Sequence, residues 1–123
     1  MRVANECRRF VPKGTPAIYF FMEIIYHSAV QSFLTTLEDR TLSKVMRAID
    51  LLEEYGFRLR MPHTKYFGDG LYELRVHDAQ EVRLFYGFAH HKIYLAHGFM
   101  KKTMRIPQKE LIMAIRHLQA LVR

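Results

Sequence analysis

A chain of 123 residues, 50% hydrophobic and 13% aromatic, falls within the usual size of one domain and has enough apolar material for one hydrophobic core. The longest apolar run, residues 17–25, is too short to cross a bilayer, and no secretory signal is visible near the N-terminus. Cys7 is the single cysteine, which excludes an internal disulfide and a cysteine zinc site within one chain. We therefore expect a cytoplasmic protein without membrane insertion.

The positive charge is concentrated in the second half of the chain. The net charge is +7, with 19 lysines and arginines against 12 aspartates and glutamates. Residues 1–55 hold seven basic and seven acidic side chains, whereas residues 56–123 hold twelve basic and five acidic ones. A one-sided basic surface indicates a partner rich in phosphate or carboxylate, and a solvated surface without a partner is the alternative.

The N-terminal part predicts a leader followed by a strand and a short helix. Residues 1–16 contain two prolines and a glycine near their end and lack periodicity, so we predict a loose leader outside a domain of residues 17–123. Residues 18–25 are rich in aromatic and β-branched side chains and predict a strand covered on both faces. Ser28 and Gln31 fit a capping box, which predicts a helix start.

A second helix has the clearest periodicity. From about Asp39 the apolar residues recur at spacings of three and four, and Gly56 stands where a C-terminal cap is expected. The apolar positions are Leu42, Val45, Met46, Ile49 and Leu52.

The next segment, residues 57–70, predicts an exposed basic loop. It contains one proline and two glycines, and its basic side chains include Arg58, Arg60 and Lys65. We expect these three cations to contribute to the basic surface of the second half of the chain.

Three strand patterns and a final helix complete the chain. Residues 71–77, 81–88 and 92–99 predict an antiparallel meander. Pro107 marks a helix start, and an apolar stripe continues to the end of the chain. The stripe consists of Leu111, Ile115, Leu118 and Val122. The order strand, helix, helix, three strands, helix predicts an α+β fold with a small, mainly antiparallel sheet.

The alternation of apolar and polar residues fixes the register of the first hairpin, because a shift of one residue would turn the apolar side chains to the wrong face. A three-residue connection sets Leu74 opposite Leu84 and therefore Arg75 opposite Arg83. Opposed like charges destabilise a sheet by roughly 0.2 to 1 kcal/mol unless an anion lies beside them. We expect Glu73 to supply part of that compensation.

In the second hairpin the same reasoning places Leu84 opposite His97 on the buried face. We therefore interpret His97 as a core histidine whose ring nitrogens are hydrogen-bonded, rather than as a catalytic histidine. Gly98 would lie beside Arg83 on the polar face and leave room above the sheet.

Lys101 and Lys102 follow the last strand, so two arginines and up to two lysines are expected to converge on one open patch that suits a phosphodiester. Alternatively, Arg75 and Arg83 are solvated residues that pair with Glu73 and Glu81. The remaining histidines of the second half lack metal-ligand spacing, so we expect neither a metal nor another cofactor.

Residues 70–107 closely resemble the phage-derived, HigB-like branch of the RelE/ParE toxin superfamily. The matching pieces are GLYELR at 70–75, Arg83 followed by Phe85-Tyr86, His97-Gly98-Phe99, Lys101-Lys102-Thr103 and Pro107, with LLEEYG at 51–56, Pro62 and Lys65 upstream. The similarity covers about residues 18–120. The family's fold, a small sheet with two N-terminal helices and a C-terminal helix, has the order predicted above.

The resemblance implies a toxin of a type II toxin-antitoxin module. Most RelE-like members cut mRNA in the ribosomal A site, whereas ParE-like members bind DNA gyrase. The HigB-like branch usually pairs with a helix-turn-helix antitoxin. The implied partners are therefore mRNA, the ribosome and such an antitoxin.

The resemblance also implies roles for single residues. Arg83 matches the arginine that RelE-like nucleases use on the scissile phosphate, and Lys101 or Lys102 falls near their later basic residue. This chain has Leu71 and Glu73 where RelE has two lysines, and it lacks a tyrosine after Thr103 where RelE has one. The resemblance therefore leaves the general base open.

RNA can be cleaved without a metal when its 2′-OH attacks the adjacent phosphate. We expect Arg83 and Arg75 to clamp the phosphate, Lys101 or Lys102 to neutralise the developing charge, and Glu73 or a histidine such as His97 to assist proton transfer. The cations expected to bind RNA around this site are Lys65, Arg58, Arg60 and Arg105. A gyrase inhibitor without enzymatic activity and an inactive RNA-binding relative are the alternatives.

Overall fold

The computed structural model describes residues 22–123, and the predicted leader and the first residues of the predicted strand lie outside this range. Five strands and three α-helices follow one another in an order that confirms the predicted α+β class. They are β1 Glu23–Tyr26, α1 Ser28–Leu34, α2 Asp39–Tyr55, β2 Thr64–Gly68, β3 Leu71–Val76, β4 Val82–Ala89, β5 Lys92–Met100 and α3 Gln108–Val122.

The strands form one sheet in the order β1-β5-β4-β3-β2. The pair β1 and β5 is parallel, whereas the other three pairs are antiparallel. Helices α1 and α2 pack on one face of the sheet and α3 packs on the other. None of the helices within residues 22–123 is long and apolar enough to span a membrane.

The main core lies between the sheet and the first two helices. Leu74, Leu84 and Leu95 from the central strands are completely buried against Val45 and Leu52 of α2. Side chains alternate between the two faces of a strand, so this apolar set leaves the intervening residues on the α3 face.

A smaller core lies on the α3 face. Phe85 and Phe99 pack there against Ala114 of α3. A Cβ atom at Gly87 would lie 2.8 Å from Leu118 Cδ2, so the missing side chain lets α3 approach the sheet. Helix α3 covers this part of the face and leaves the other end of the hairpin uncovered.

The start of α1 differs from the sequence-based prediction. His27 is the N-cap, and its Nδ1 accepts a hydrogen bond from the Ala29 backbone N–H at 2.9 Å. Ser28 is already the first helical residue. The predicted capping box of Ser28 and Gln31 is therefore wrong, because an imidazole acceptor satisfies the free amide instead. In α2 the predicted cap is confirmed, with Gly56 at φ 51°.

The segment predicted as a loop contains a strand. Strand β2 forms the edge of the sheet and pairs with β3, setting Lys65 opposite Glu73. Its sequence TKYFG lacks clear alternation and lies between a proline and two glycines, so it becomes a strand only through pairing with β3.

The predicted register is confirmed for the first hairpin and wrong for part of the second. Arg75 lies opposite Arg83 as expected. A β-bulge next to Phe85 shifts the pairing of β4 and β5 by one residue, so Leu84 faces Gly98 and Phe85 faces His97. Gly98 therefore does not lie beside Arg83.

Gly98 instead provides space for the packing of α1. A Cβ atom there would lie 2.7 Å from both Leu84 Cδ2 and Phe33 Cδ2. In α3 the predicted stripe is also shifted, since Ala114 is fully buried whereas Ile115 is 45% exposed. The bulge therefore changes which residues of β5 face α3, and the buried side of α3 is centred on Ala114 rather than on Ile115.

A candidate nucleic-acid interface

A cleft lies at the end of the sheet that α3 leaves uncovered. It has a volume of about 320 Å³ and is bounded by β2, β3, the loop between β5 and α3 and the start of α3. We call it the basic cleft, and its polar lining consists of Lys65, Glu73, Arg75, Lys101 and Arg105. Phe67, Met104 and Leu111 contribute apolar wall. Four cations thus surround one carboxylate.

Glu73 connects the two opposed arginines. Its Oε1 lies 3.3 Å from Arg75 Nε, and its Oε2 lies 3.6 Å from Arg83 Nε. The predicted compensation of the arginine pair by Glu73 is therefore confirmed. Within the described residues, Glu73 Oε2 and both Nε groups have ion-pair contacts but no hydrogen bond. Unsatisfied polar groups are costly when buried, so this ionic group stabilises the fold less than a fully hydrogen-bonded one would.

The carboxyl of Glu73 is almost completely inaccessible, with 1% of the residue surface exposed. Burial raises its pKa, and the nearby charges of Arg83, Arg75, Lys65 and Lys101 act in the opposite direction. The net direction is upward, so desolvation outweighs the four cations. The carboxyl of Glu73 therefore binds a proton more readily than the carboxyl of an exposed glutamate does.

Arg83 lies beneath the cleft rather than on its surface. Only 3% of the residue is exposed, and its Nη1 donates to Glu81 Oε1 at 3.2 Å and to the Val82 carbonyl at 3.1 Å. Arg75, with a side chain that is 25% exposed, reaches both Glu73 and the open cleft. The two arginines of the pair therefore have different surroundings.

The loop after β5 forms one wall of the cleft and is held by local hydrogen bonds. The backbone N–H of Lys101 donates to the Glu81 carbonyl at 2.7 Å, and the Lys101 Nζ donates to the Met104 carbonyl at 3.0 Å. Thr103 Oγ1 donates to the Arg105 carbonyl at 2.6 Å. These bonds hold Lys101 and Arg105 beside the sheet.

The structure brings together some of the predicted cations and separates others. Lys65 lies opposite Glu73 on the edge strand, with its Nζ 5.2 Å from the centre of the Phe67 ring. Lys102 is exposed and does not line the cleft. Arg58 lies over the Tyr55 ring and Arg60 Nη1 donates to the Phe57 carbonyl, so both lie outside the cleft lining.

His97 belongs to a separate group at the α3 interface. Its Nε2 lies 2.7 Å from Glu110 Oε1, and its ring packs against Phe99 and His117. The side chain is 12% exposed and does not line the basic cleft. The interpretation of a core histidine is therefore confirmed only in part, since His97 is largely buried but lies on the α3 face, and its Nδ1 has no hydrogen-bond partner within the described residues.

The alternative in which the arginines pair with Glu73 and Glu81 is confirmed for the pairing, since Glu81 lies 3.2 Å from Arg83 and 2.8 Å from His77. It is wrong for the exposure of Arg83, which is buried rather than solvated. Phe67 was missed from the sequence, because it lines the cleft from β2, a strand that was predicted as a loop.

The fold and the basic cleft define a small α+β protein with a surface suited to a phosphate-bearing ligand. Residues 32–119 match the family model described as phage derived protein Gp49-like (DUF891). The chain therefore belongs to the Gp49-like family, which is part of the RelE/HigB-like toxin group. This match supports the resemblance at the level of the group. A search of curated proteins finds no match.

Proposed function

We propose that this protein is the toxin of a type II toxin-antitoxin module and that it cleaves mRNA on the ribosome without a metal ion. The observation that carries the proposal is the buried Glu73 carboxyl, with its raised pKa, at the base of a cleft lined by four cations. Membership of the Gp49-like family is consistent with a RelE-like toxin.

The proposed chemistry is transesterification within the RNA. The 2′-OH attacks the adjacent phosphorus, the bond from phosphorus to the 5′-oxygen breaks, and a 2′,3′-cyclic phosphate and a 5′-OH form. Glu73 accepts the proton of the 2′-OH, since a base with a pKa nearer neutrality is suited to this transfer. The leaving oxygen takes a proton from Lys101 or from water. No oxidant, cofactor or further reactant is needed.

The cations of the cleft are proposed to stabilise the extra negative charge on the phosphate oxygens. Arg75 and Lys101 lie beside Glu73 and are the closest candidates for this contact. Lys65 and Arg105 extend the positive surface on either side. Arg83 is not part of the cleft lining, unlike Glu73, so we assign it the role of a positioning residue that holds Glu73, rather than direct contact with the phosphate.

A protein partner is part of the proposal. Three large apolar side chains of α3 remain exposed in the described chain, namely Ile112, Met113 and Ile115, at 43%, 37% and 45%. Exposed apolar side chains on one helix favour a protein contact. We propose a helix-turn-helix antitoxin as that partner, in line with the resemblance.

The function can be tested by inducing the wild type and Glu73→Gln from a tightly repressed promoter and mapping mRNA 5′ ends soon after induction. New ends within translated codons for the wild type, and none for the folded variant, are expected. Lys101→Gln and Lys102→Gln form a matched pair, since only the first lysine lines the cleft. Growth arrest with intact mRNA would contradict the proposal and would point to another target, such as DNA gyrase.

A further inference from the structure

A second cleft lies on the other side of Arg75, between α2, the segment before β2 and the end of β3. It has a volume of about 290 Å³ and includes Lys44, Arg47, His63, Arg75 and His77 in its lining. We call it the α2 cleft. Five of its lining side chains are basic, and no carboxylate is among them.

The two clefts are connected through one side chain. Arg75 lines both the basic cleft and the α2 cleft. Its Nε contacts Glu73, and its Nη1 lies 3.9 Å from Met61 Sδ, so the guanidinium extends across the edge of the sheet. A strand of RNA with one phosphate beside Arg75 can therefore place a neighbouring phosphate in the α2 cleft.

The charges of the α2 cleft are not all balanced by the protein. Lys44 Nζ lies 3.0 Å from Asp78 Oδ1, and His77 pairs with Glu81. Arg47 makes no ion pair within residues 22–123, and its side chain is exposed on α2. His63 is also exposed. Arg47 is therefore the permanent charge in this cleft that remains available to an anion.

The rest of the lining suits a nucleotide rather than a free ion. Ala48, Leu51, Pro62 and Val76 give the cleft an apolar base beneath its cations. A nucleotide combines an anionic phosphate with sugar and base surfaces that can pack on such groups. The combination of an apolar base and a cationic rim favours a phosphodiester chain over a small inorganic anion.

We infer that the α2 cleft is a second nucleotide subsite, which binds a phosphate of the same RNA strand next to the one held at the basic cleft, with Arg47 as its main cation. The inference rests on the proposed function in taking RNA as the ligand. The second subsite adds a contact that the cleavage chemistry does not require. The inference and the proposed function can therefore fail independently.

The test is RNA binding by fluorescence anisotropy, with a labelled single-stranded oligonucleotide of about eight nucleotides. The RNA carries 2′-O-methyl groups, which prevent attack by the 2′-oxygen, so binding is measured without cleavage. Arg47→Gln should weaken binding roughly threefold to tenfold and reduce the slope of log affinity against log salt by about 0.7, as expected for one lost phosphate contact to a single strand.

Arg116→Gln is the matched control, because Arg116 is exposed on α3 and lines neither cleft. It removes the same charge and should leave the salt slope unchanged. A labelled dinucleotide, whose single phosphodiester can lie in only one cleft at a time, should lose less affinity in Arg47→Gln than the longer RNA does, whereas Arg105→Gln should weaken the binding of both ligands.

Equal affinity and equal slope for Arg47→Gln and the wild type on the longer RNA would overturn the inference, as would a wild type that shows no salt-dependent RNA binding. A loss for Arg116→Gln as large as that for Arg47→Gln would also overturn it, because it would indicate nonspecific attraction. Cleavage of mRNA by the wild type, measured separately, decides the proposed function in each case.

Discussion

The two faces of the hairpin of β3 and β4 are buried to a similar degree but are built from different side chains. On the face towards α2, Leu74 and Leu84 are fully buried. On the face towards α3, Glu73 is 1% exposed and Arg83 is 3% exposed. The comparison shows that one hairpin supports both an apolar core and a buried ionic group.

The ionic face is costly in comparison with the apolar one. Removing charges from water costs several kcal/mol for each ion, and their mutual attraction offsets this only when the geometry is good. Here the contacts of Glu73 with the arginines are 3.3 and 3.6 Å long and lack hydrogen-bond geometry. A group that is held at such cost next to an open cleft is better explained by a role in binding or chemistry than by stability.

The largest expected effect is a loss of activity from a substitution on the face towards α3. Glu73→Gln keeps the size of the side chain but removes its ability to accept a proton, so we expect RNA cleavage to fall by about 100-fold to 10,000-fold. Primer extension on a translated mRNA gives the rate, and circular dichroism checks the fold. A folded variant with full activity would remove Glu73 from the mechanism.

The next largest effect is a loss of stability from a substitution on the face towards α2. Leu84→Ala removes a fully buried side chain from the main core, and we expect the free energy of unfolding to decrease by about 2 to 5 kcal/mol. Urea unfolding measures the change. The folded fraction should retain normal cleavage, since Leu84 lies on the face away from the basic cleft. A specific loss of activity in folded protein would show that the two faces are not independent.

A smaller effect tests the β-bulge that shifts Gly98 onto the α2 side of the sheet. Gly98→Ala places a Cβ atom 2.7 Å from Leu84 Cδ2 and Phe33 Cδ2, so we expect a loss of about 1 to 3 kcal/mol in the free energy of unfolding. In the register predicted from the sequence, Gly98 would have open space beside Arg83, and alanine would be tolerated. Unfolding measurements on this variant therefore distinguish the two registers.

The sequence predicts the parts of the fold that depend on local periodicity. The register that opposes Arg75 and Arg83 follows from alternation alone and is confirmed. Strand β2 could not be predicted in the same way, because its residues alternate poorly and gain their hydrogen bonds from β3. The bulge next to Phe85 could not be predicted from the sequence either, because the apolar pattern of β4 continues through it.

The same distinction applies to the site. The convergence of Glu73, Arg75 and Lys101 follows from strand register and chain order, and the structure places all three in one cleft. The burial of Arg83 could not be predicted, because it depends on Glu81 and on the loop that closes over the end of the hairpin. The placement of charges is thus predictable from pattern, whereas their exposure depends on tertiary packing.

The smallest effect concerns the pH dependence of stability. The folded state raises the pKa of Glu73 above its ordinary value of 4.5, mainly by burial. Between that value and the raised one, the folded state binds more protons than the unfolded state, so the contribution of Glu73 to stability is present below about pH 4.5 and is lost as the pH rises through the raised pKa. Asp78 and Glu81 have lowered pKa values and act in the opposite direction, contributing stability that is lost as the pH falls.

A comparison of wild type with Glu73→Gln isolates the first contribution, because Asp78 and Glu81 are present in both proteins. We expect the free energy of unfolding of the wild type to decrease relative to that of the variant as the pH rises above about 4.5, with urea unfolding across the acidic to neutral range as the measurement. A constant difference would mean that the buried carboxyl keeps an ordinary pKa. In that case the attraction of the four surrounding cations would balance the cost of burial, rather than being outweighed by it.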